Sequence, residues 1–194
     1  MPSITYSTIP LMTRAELATD QNAVYAIPLT AFRTWDALAT NLPAAAAADD
    51  LGLVTGTLGT HGPNITAGDV KATSSTRYAR CQVPLPVEYK AGGAVTVRAK
   101  AGMQTTVADT SCTIDFQVYR VARDTTVGAD ICATSATTIN SLTFAEKEFT
   151  ITPTTLGPGD LLDIRMAIIY VDGATGTAVT PTAAAVELLC DIRG

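Results

Sequence analysis

Residues 111–120 read SCTIDFQVYR and alternate without a break. Cys112, Ile114, Phe116 and Val118 fall on one side of an extended chain, and Thr113, Asp115, Gln117 and Tyr119 on the other. Successive side chains of a strand point to opposite faces, so a period of two with one apolar set predicts a strand with one buried face. Residues 161–172, LLDIRMAIIYVD, repeat the pattern. Leu162, Ile164, Met166, Ile168 and Tyr170 face inward; Leu161, Asp163, Arg165, Ala167 and Ile169 face outward.

The same period extends both ways along the chain. In RYARCQVPLPV, residues 77–87, Ala79, Cys81, Val83 and Leu85 point inward while Tyr78, Arg80 and Gln82 point outward. In AVTVRAKAG, residues 94–102, Val95, Val97 and Ala99 oppose Thr96, Arg98 and Lys100. The last strand, residues 184–194, turns Val186, Leu188, Cys190 and Ile192 inward. Tyr25, Ile27 and Leu29 begin an earlier strand, where Pro28 predicts an edge or a bulge. The charged triplet Glu146-Lys147-Glu148 predicts a bulge in residues 141–152. Pro158-Gly159 predicts a type II turn, and Asp172-Gly173 another turn. Residues 35–42 predict a short helix stopped by Pro43.

About eight such strands with little helix predict an all-β chain, an antiparallel β-sandwich. Connections longer than hairpins point to the jelly-roll form. The expected division is a sandwich over residues 23–194 and an irregular N-terminal arm over residues 1–22. The arm carries Ile4, Tyr6, Ile9, Leu11 and Met12 with neither a strand nor a helix period, so those groups call for a partner surface. Leu161, Ile169, Val171 and Leu189 are apolar on outward positions, which places them under a loop or under another subunit.

Composition narrows the chemistry. The 194 residues weigh 20.1 kDa, enough for one cored domain. A net charge of -5 argues against nucleic acid as a partner. No apolar run reaches the roughly 18 residues that span a bilayer, and the N-terminus lacks a signal-peptide pattern. The expectation is therefore no membrane partner and synthesis in a cytoplasm. His61 is the sole histidine, so a histidine metal cluster is excluded and a Ser-His-Asp triad would depend on this loop residue. Cys81, Cys112, Cys132 and Cys190 contain no Cys-x-x-Cys spacing and read as buried free thiols; a disulfide is the alternative, against which synthesis in a cytoplasm weighs. Asp49, Asp50, Asp69, Asp109, Asp160 and Asp172 lie in turn contexts, where Asp bonds its own backbone; a loop calcium site is the alternative. Asn64-Ile65-Thr66 is a glycosylation sequon, without consequence in a cytosol. Arg77, Arg80, Arg98, Lys100, Arg120 and Arg123 gather in the central strands, either as a solvated face balanced by Asp115, Glu146 and Glu148 or as an inter-subunit salt-bridge face. Trp35, the single tryptophan, is expected in the core beside the first strand.

Three blocks carry a resemblance: residues 25–53, 77–110 and 149–179, beginning YAIPLTAFRTWDALAT, RYARCQVPLPVEYKAGG and FTITPTTLGPGDLLDIR. They resemble structural proteins of tailed-bacteriophage virions, over residues 23–194. The resemblance implies a non-enzymatic jelly-roll cement or decoration protein on the capsid surface, made in the host bacterial cytoplasm and needing no cofactor. It implies the phage major capsid protein and further copies of the chain as partners, with a trimer favoured over a dimer. The candidate subunit interface is Ile4, Tyr6, Ile9, Leu11, Met12, Leu161, Ile169 and Leu189. The alternative is a carbohydrate-binding or host-adhesion β-sandwich module, in which Trp35 would meet the glycan.

Overall fold

A computed structural model describes residues 21–122, 124–173 and 177–193. Five of the candidate interface residues, Ile4, Tyr6, Ile9, Leu11 and Met12, lie outside the described residues, as does Arg123.

The strands in chain order are β1 (Gln21–Ile27), β2 (Gly52–Val54), β3 (Asn64–Thr66), β4 (Ser74–Pro84), β5 (Val95–Met103) and β6 (Ser111–Val121). There follow β7 (Val127–Asp130), β8 (Thr137–Thr138), β9 (Ala145–Ile151), β10 (Leu161–Val171) and β11 (Pro181–Ile192). All their pairings are antiparallel. The first sheet has the order β2-β3-β11-β5-β9, and β1 shares the β3 side of β11. The second has the order β4-β10-β6-β7, and β8 shares the β7 side of β6. Taking the strands that share one place together, and leaving aside the short β2 that adds outside β3, the chain visits the first sheet in the spatial order first, eighth, third, sixth. It visits the second in the order second, seventh, fourth, fifth. That is the double Greek key of a jelly roll.

The alternation read from the sequence sets the core. Ile114, Phe116, Ile164, Met166 and Leu188 are all buried between the sheets. Phe116 of the second sheet meets Phe149 of the first edge-on, with ring centroids 4.8 Å apart. Val83 and Ile192, also read as inward, are half-buried. β10 sits at the centre of its sheet, paired along its whole length with β4 and β6, which suits its apolar content. Gly159 has φ +75 and Asp160 N–H donates to Gly157 O at 3.1 Å, closing the expected type II turn.

Several local expectations are corrected. Gln21 and Asn22, assigned to the arm, pair with Ile192 and Asp191 and belong to β1. Residues 35–42 form turns and a bridge, not a helix. The backbone of Arg33 exchanges hydrogen bonds with Arg80 at 2.7 and 3.0 Å and bridges to Asn41, so the segment between closes as a loop on the β4 edge in place of a weak helical tendency. The only helical turn among the described residues is a 3₁₀ turn at Leu29–Ala31. The triplet Glu146-Lys147-Glu148 makes no bulge. Glu148 stands opposite Arg98 and Glu146 opposite Lys100, so opposite charges face each other across unshifted strands. Among the described strands the register shifts lie instead in β11, between Ala183 and Ala185, and where β6 meets β7, between Tyr119 and Val121.

Candidate functional site

The outward residues of β4, β10 and β6 form rows across the second sheet. Asp163 stands between Gln82 and Tyr119, Arg165 between Arg80 and Gln117, Ala167 between Tyr78 and Asp115, and Ile169 between Thr76 and Thr113. Alternation put each of these except Thr76 on an outer face, and only the pairing register brings them side by side.

The rows are cross-braced. Arg80 Nε donates to Asp163 Oδ1 at 2.6 Å, Arg80 Nη2 donates to Asp163 Oδ2, and Gln82 Nε2 donates to the same oxygen at 3.0 Å. Asp163 is only 5% exposed although it lies on an outer face, because this fork covers it. A bidentate guanidinium–carboxylate pair fixes both side chains, and the bond pushes the Arg80 guanidinium still further up. The Arg165 guanidinium carbon lies 5.5 Å from the Trp35 ring centroid and 4.8 Å from that of Tyr78, within cation–π range of both. Arg165 Nη2 also donates to Gln117 Oε1. The two aromatic rings are 5.2 Å apart and tilted by 49°. Trp35 Nε1 donates to Asp49 Oδ2 at 2.8 Å, which holds the indole from its far side. Trp35 is therefore half-buried on the outer face of the second sheet, not in the core. The Arg33–Arg80 backbone pairing carries residue 35 past the β4 edge and onto that face.

Two cavities open along these rows. One, of about 300 Å³, runs from Trp35 and Asp36 past Arg80, Asp163 and Arg165 to Tyr119 and Val127. The other, of about 200 Å³, lies over Tyr78, Asp115, Gln117, Ala167 and Ile169 and shares Arg165 with the first. Together they make one trough along β10. Burial pushes the Asp115 carboxyl up, and a hydrogen bond from the Phe116 backbone and, less strongly, the Arg165 charge pull it back in part.

The three described interface candidates do not form one patch. Leu161 and Ile169 are half-buried on the outer face of the second sheet, Ile169 lining the trough. Leu189 is on the outer face of the first sheet, between Val24 and Thr96. The basic residues likewise divide. Arg80 and Arg120 pair with Asp163 and Asp160 on the second sheet. Arg98 pairs with Glu187 at 2.7 Å on the first, and reaches Glu146 and Glu148 at 3.6 and 3.9 Å. The sequence reading missed Tyr78, Arg80, Gln117, Asp163 and Arg165 as a group. Their signal, aromatic and charged residues on the outward alternates of three strands, becomes a site only once those strands are neighbours.

The remaining candidates have structural roles. His61 is exposed in a tight loop whose backbone pairs Thr57 with His61 at 3.0 Å. Asn64-Ile65-Thr66 is strand β3, with Ile65 and Thr66 buried. Asp172 is 5% exposed and bolts two loops, accepting from Ala72 N–H at 3.0 Å and Asp109 N–H at 3.1 Å. Cys81, Cys112 and Cys190 are buried and Cys132 half-buried, all four as free thiols. Among the described residues no group of three His, Cys, Asp or Glu side chains is placed to hold a metal ion, and no helix is long and apolar enough to cross a membrane.

No family profile and no curated protein matches the chain. Solved structures do. The xylan-binding module CBM15 aligns with a TM-score of 0.45 at 13% identity, over 88% of this chain and 97% of that one. The structure of infectious bursal disease virus, Gx strain, aligns with a TM-score of 0.43 at 14% identity, over 100% of this chain and 38% of that one. The CBM22-1 xylan-binding domain of Paenibacillus barcinonensis Xyn10C aligns with a TM-score of 0.39 at 9% identity, over 73% of this chain and 81% of that one. This chain is a β-sandwich of jelly-roll type by its own strand order, and likenesses this distant carry no functional argument.

Proposed function

We propose that the protein is a structural component of a tailed-phage virion, a cement or decoration subunit that binds the outside of the head and bridges neighbouring major capsid subunits. The observation that supports this reading is Val24, 51% exposed on β1 beside the half-buried Leu189. Apolar side chains on an outer sheet face, on the strand into which residues 1–20 lead, suit a seam between subunits. Its action is mechanical: area buried across capsid seams opposes internal pressure. Mass spectrometry and imaging of intact particles test it. Copy numbers that scale with the major capsid protein support the reading, and absence from purified heads refutes it. A chain lacking residues 1–20 keeps β1 whole; it is expected to fold normally and to decorate heads poorly.

A second reading, an adhesion module that binds glycan, is favoured by Trp35, which stands on the outer face of the second sheet and lines its cavity. Glycan binding that is lost in Trp35→Ala separates it from a purely mechanical role.

A further inference from the structure

We propose that the trough on the outer face of the second sheet binds an uncharged saccharide chain. The inference rests on the second reading above and gives it a site and a ligand class.

A sugar ring offers two chemistries, apolar C–H faces and in-plane hydroxyls, and the trough offers a complement to both. Trp35 and Tyr78 supply aromatic rings, which are rigid and apolar at the face. The Trp35 ring is already held by Asp49 and Arg165, so little freedom is lost when a ligand stacks there. Hydroxyls need donors and acceptors in planar, fixed array. The Arg80–Asp163 fork, braced by Gln82, and the Gln117–Arg165 pair provide them along the trough. A guanidinium has five N–H donors, and Asp163 engages two of those on Arg80. Braced networks of this kind bond a ligand without first having to order themselves.

Charge decides the class of sugar. Arg80 is matched by Asp163, and the Asp115 carboxylate lines the same cavity as Arg165, one row along the sheet. Asp36 adds a further carboxylate at the rim, and the chain carries -5 overall. The trough thus holds no surplus positive charge for a uronate, a sialic acid or a phosphate, and the field of the whole protein repels them. Length favours an oligosaccharide over a single ring. Asp163 to Ile169 along β10 spans roughly 20 Å at the usual strand rise.

The test is calorimetric titration of the full chain with neutral oligosaccharides (glucan, mannan, galactan and xylan series) and with uronic-acid oligosaccharides as matched anions. Binding of at least one neutral series is expected, unchanged between low and high salt because no ion pair forms. Trp35→Ala is expected to weaken it about tenfold or more, a loss of the size seen when a buried aromatic anchor is truncated. Trp35→Tyr should keep most of it, and Lys100→Ala, on the outer face of the opposite sheet, should leave it unchanged. Thermal melts show whether each variant is folded. Binding confined to uronates, salt-sensitive yet lost in Trp35→Ala, overturns the ligand class while the adhesion reading stands. No binding of any glycan by the folded wild-type chain overturns both. Failure of Trp35→Ala to decorate heads, with no glycan bound, would make the trough a capsid contact instead.

Discussion

Phe116→Ala tests the alternation from which the fold was read. Phe116 is 1% exposed, and its ring meets Phe149 of the opposite sheet at 4.8 Å and 60°. A buried aromatic side chain removes roughly 150–250 Å² from water. At about 25 cal/mol per Å² this corresponds to about 4–6 kcal/mol, an upper bound because the unfolded chain already buries part of that area. Truncations of buried Phe to Ala cost roughly 3–5 kcal/mol. About 0.5–1.5 kcal/mol of that comes from the edge-on ring pair, and a double-mutant cycle with Phe149→Ala isolates it. For a chain of this size about 1 kcal/mol moves Tm by roughly 2–4 °C, so Tm should fall by roughly 6–20 °C. Gln117→Ala, one residue along and on the outer face, loses its bond from Arg165 and should cost about 0.5–1.5 kcal/mol. The assay is urea unfolding followed by fluorescence of Trp35, the single tryptophan. It sits on the second sheet's outer face, away from the cavity that Phe116→Ala creates. Equal small losses at residues 116 and 117 would refute the assignment of faces.

Four further outcomes follow from the structure. All four cysteines should alkylate under denaturing, non-reducing conditions, since all are free thiols; a mass showing fewer than four labels contradicts this. In the native state Cys132 should label first, because Cys81, Cys112 and Cys190 are buried and burial pushes the Cys112 thiol up to about 12. Asp172→Ala should cost about 1–3 kcal/mol in urea titrations, by orphaning the Ala72 and Asp109 N–H groups, whereas exposed Asp36→Ala should cost little. Asp115 has its carboxyl raised from 3.8, so the folded state holds that proton more tightly than the unfolded state does. Its penalty is absent below 3.8 and complete above the raised value. The Tm of Asp115→Asn relative to wild type should therefore be more favourable at neutral than at acid pH, and a difference independent of pH would contradict the burial argument.

Much of the fold was legible because strand alternation is a local property. Whether residue 116 or 117 faces the core depends only on the pleat and on which set of neighbours is apolar. The inward sets of β4, β5, β6, β10 and β11, the Pro158-Gly159 turn and the free thiols could all be read that way. The local misreadings arose where a distant strand outbid a local preference. The predicted helix at 35–42 gave way to turns closed by the Arg33–Asn41 bridge, next to the Arg33–Arg80 pairing with β4, and the predicted bulge at 146–148 gave way to charge pairing with β5.

The sequence by itself determined which face each long strand buries, and that the chain forms an antiparallel sandwich. Tertiary structure alone decided which outward faces lie side by side. Tyr78, Arg80, Asp115, Gln117, Asp163 and Arg165 come from three strands far apart in the chain, and Trp35 from a loop pinned across the β4 edge. Alternation assigns a side but not a neighbour. Neighbours follow from register, and register follows from how the two buried faces pack against each other. That is why the buried faces of the long strands could be anticipated while the trough, built from long-range pairing, could not.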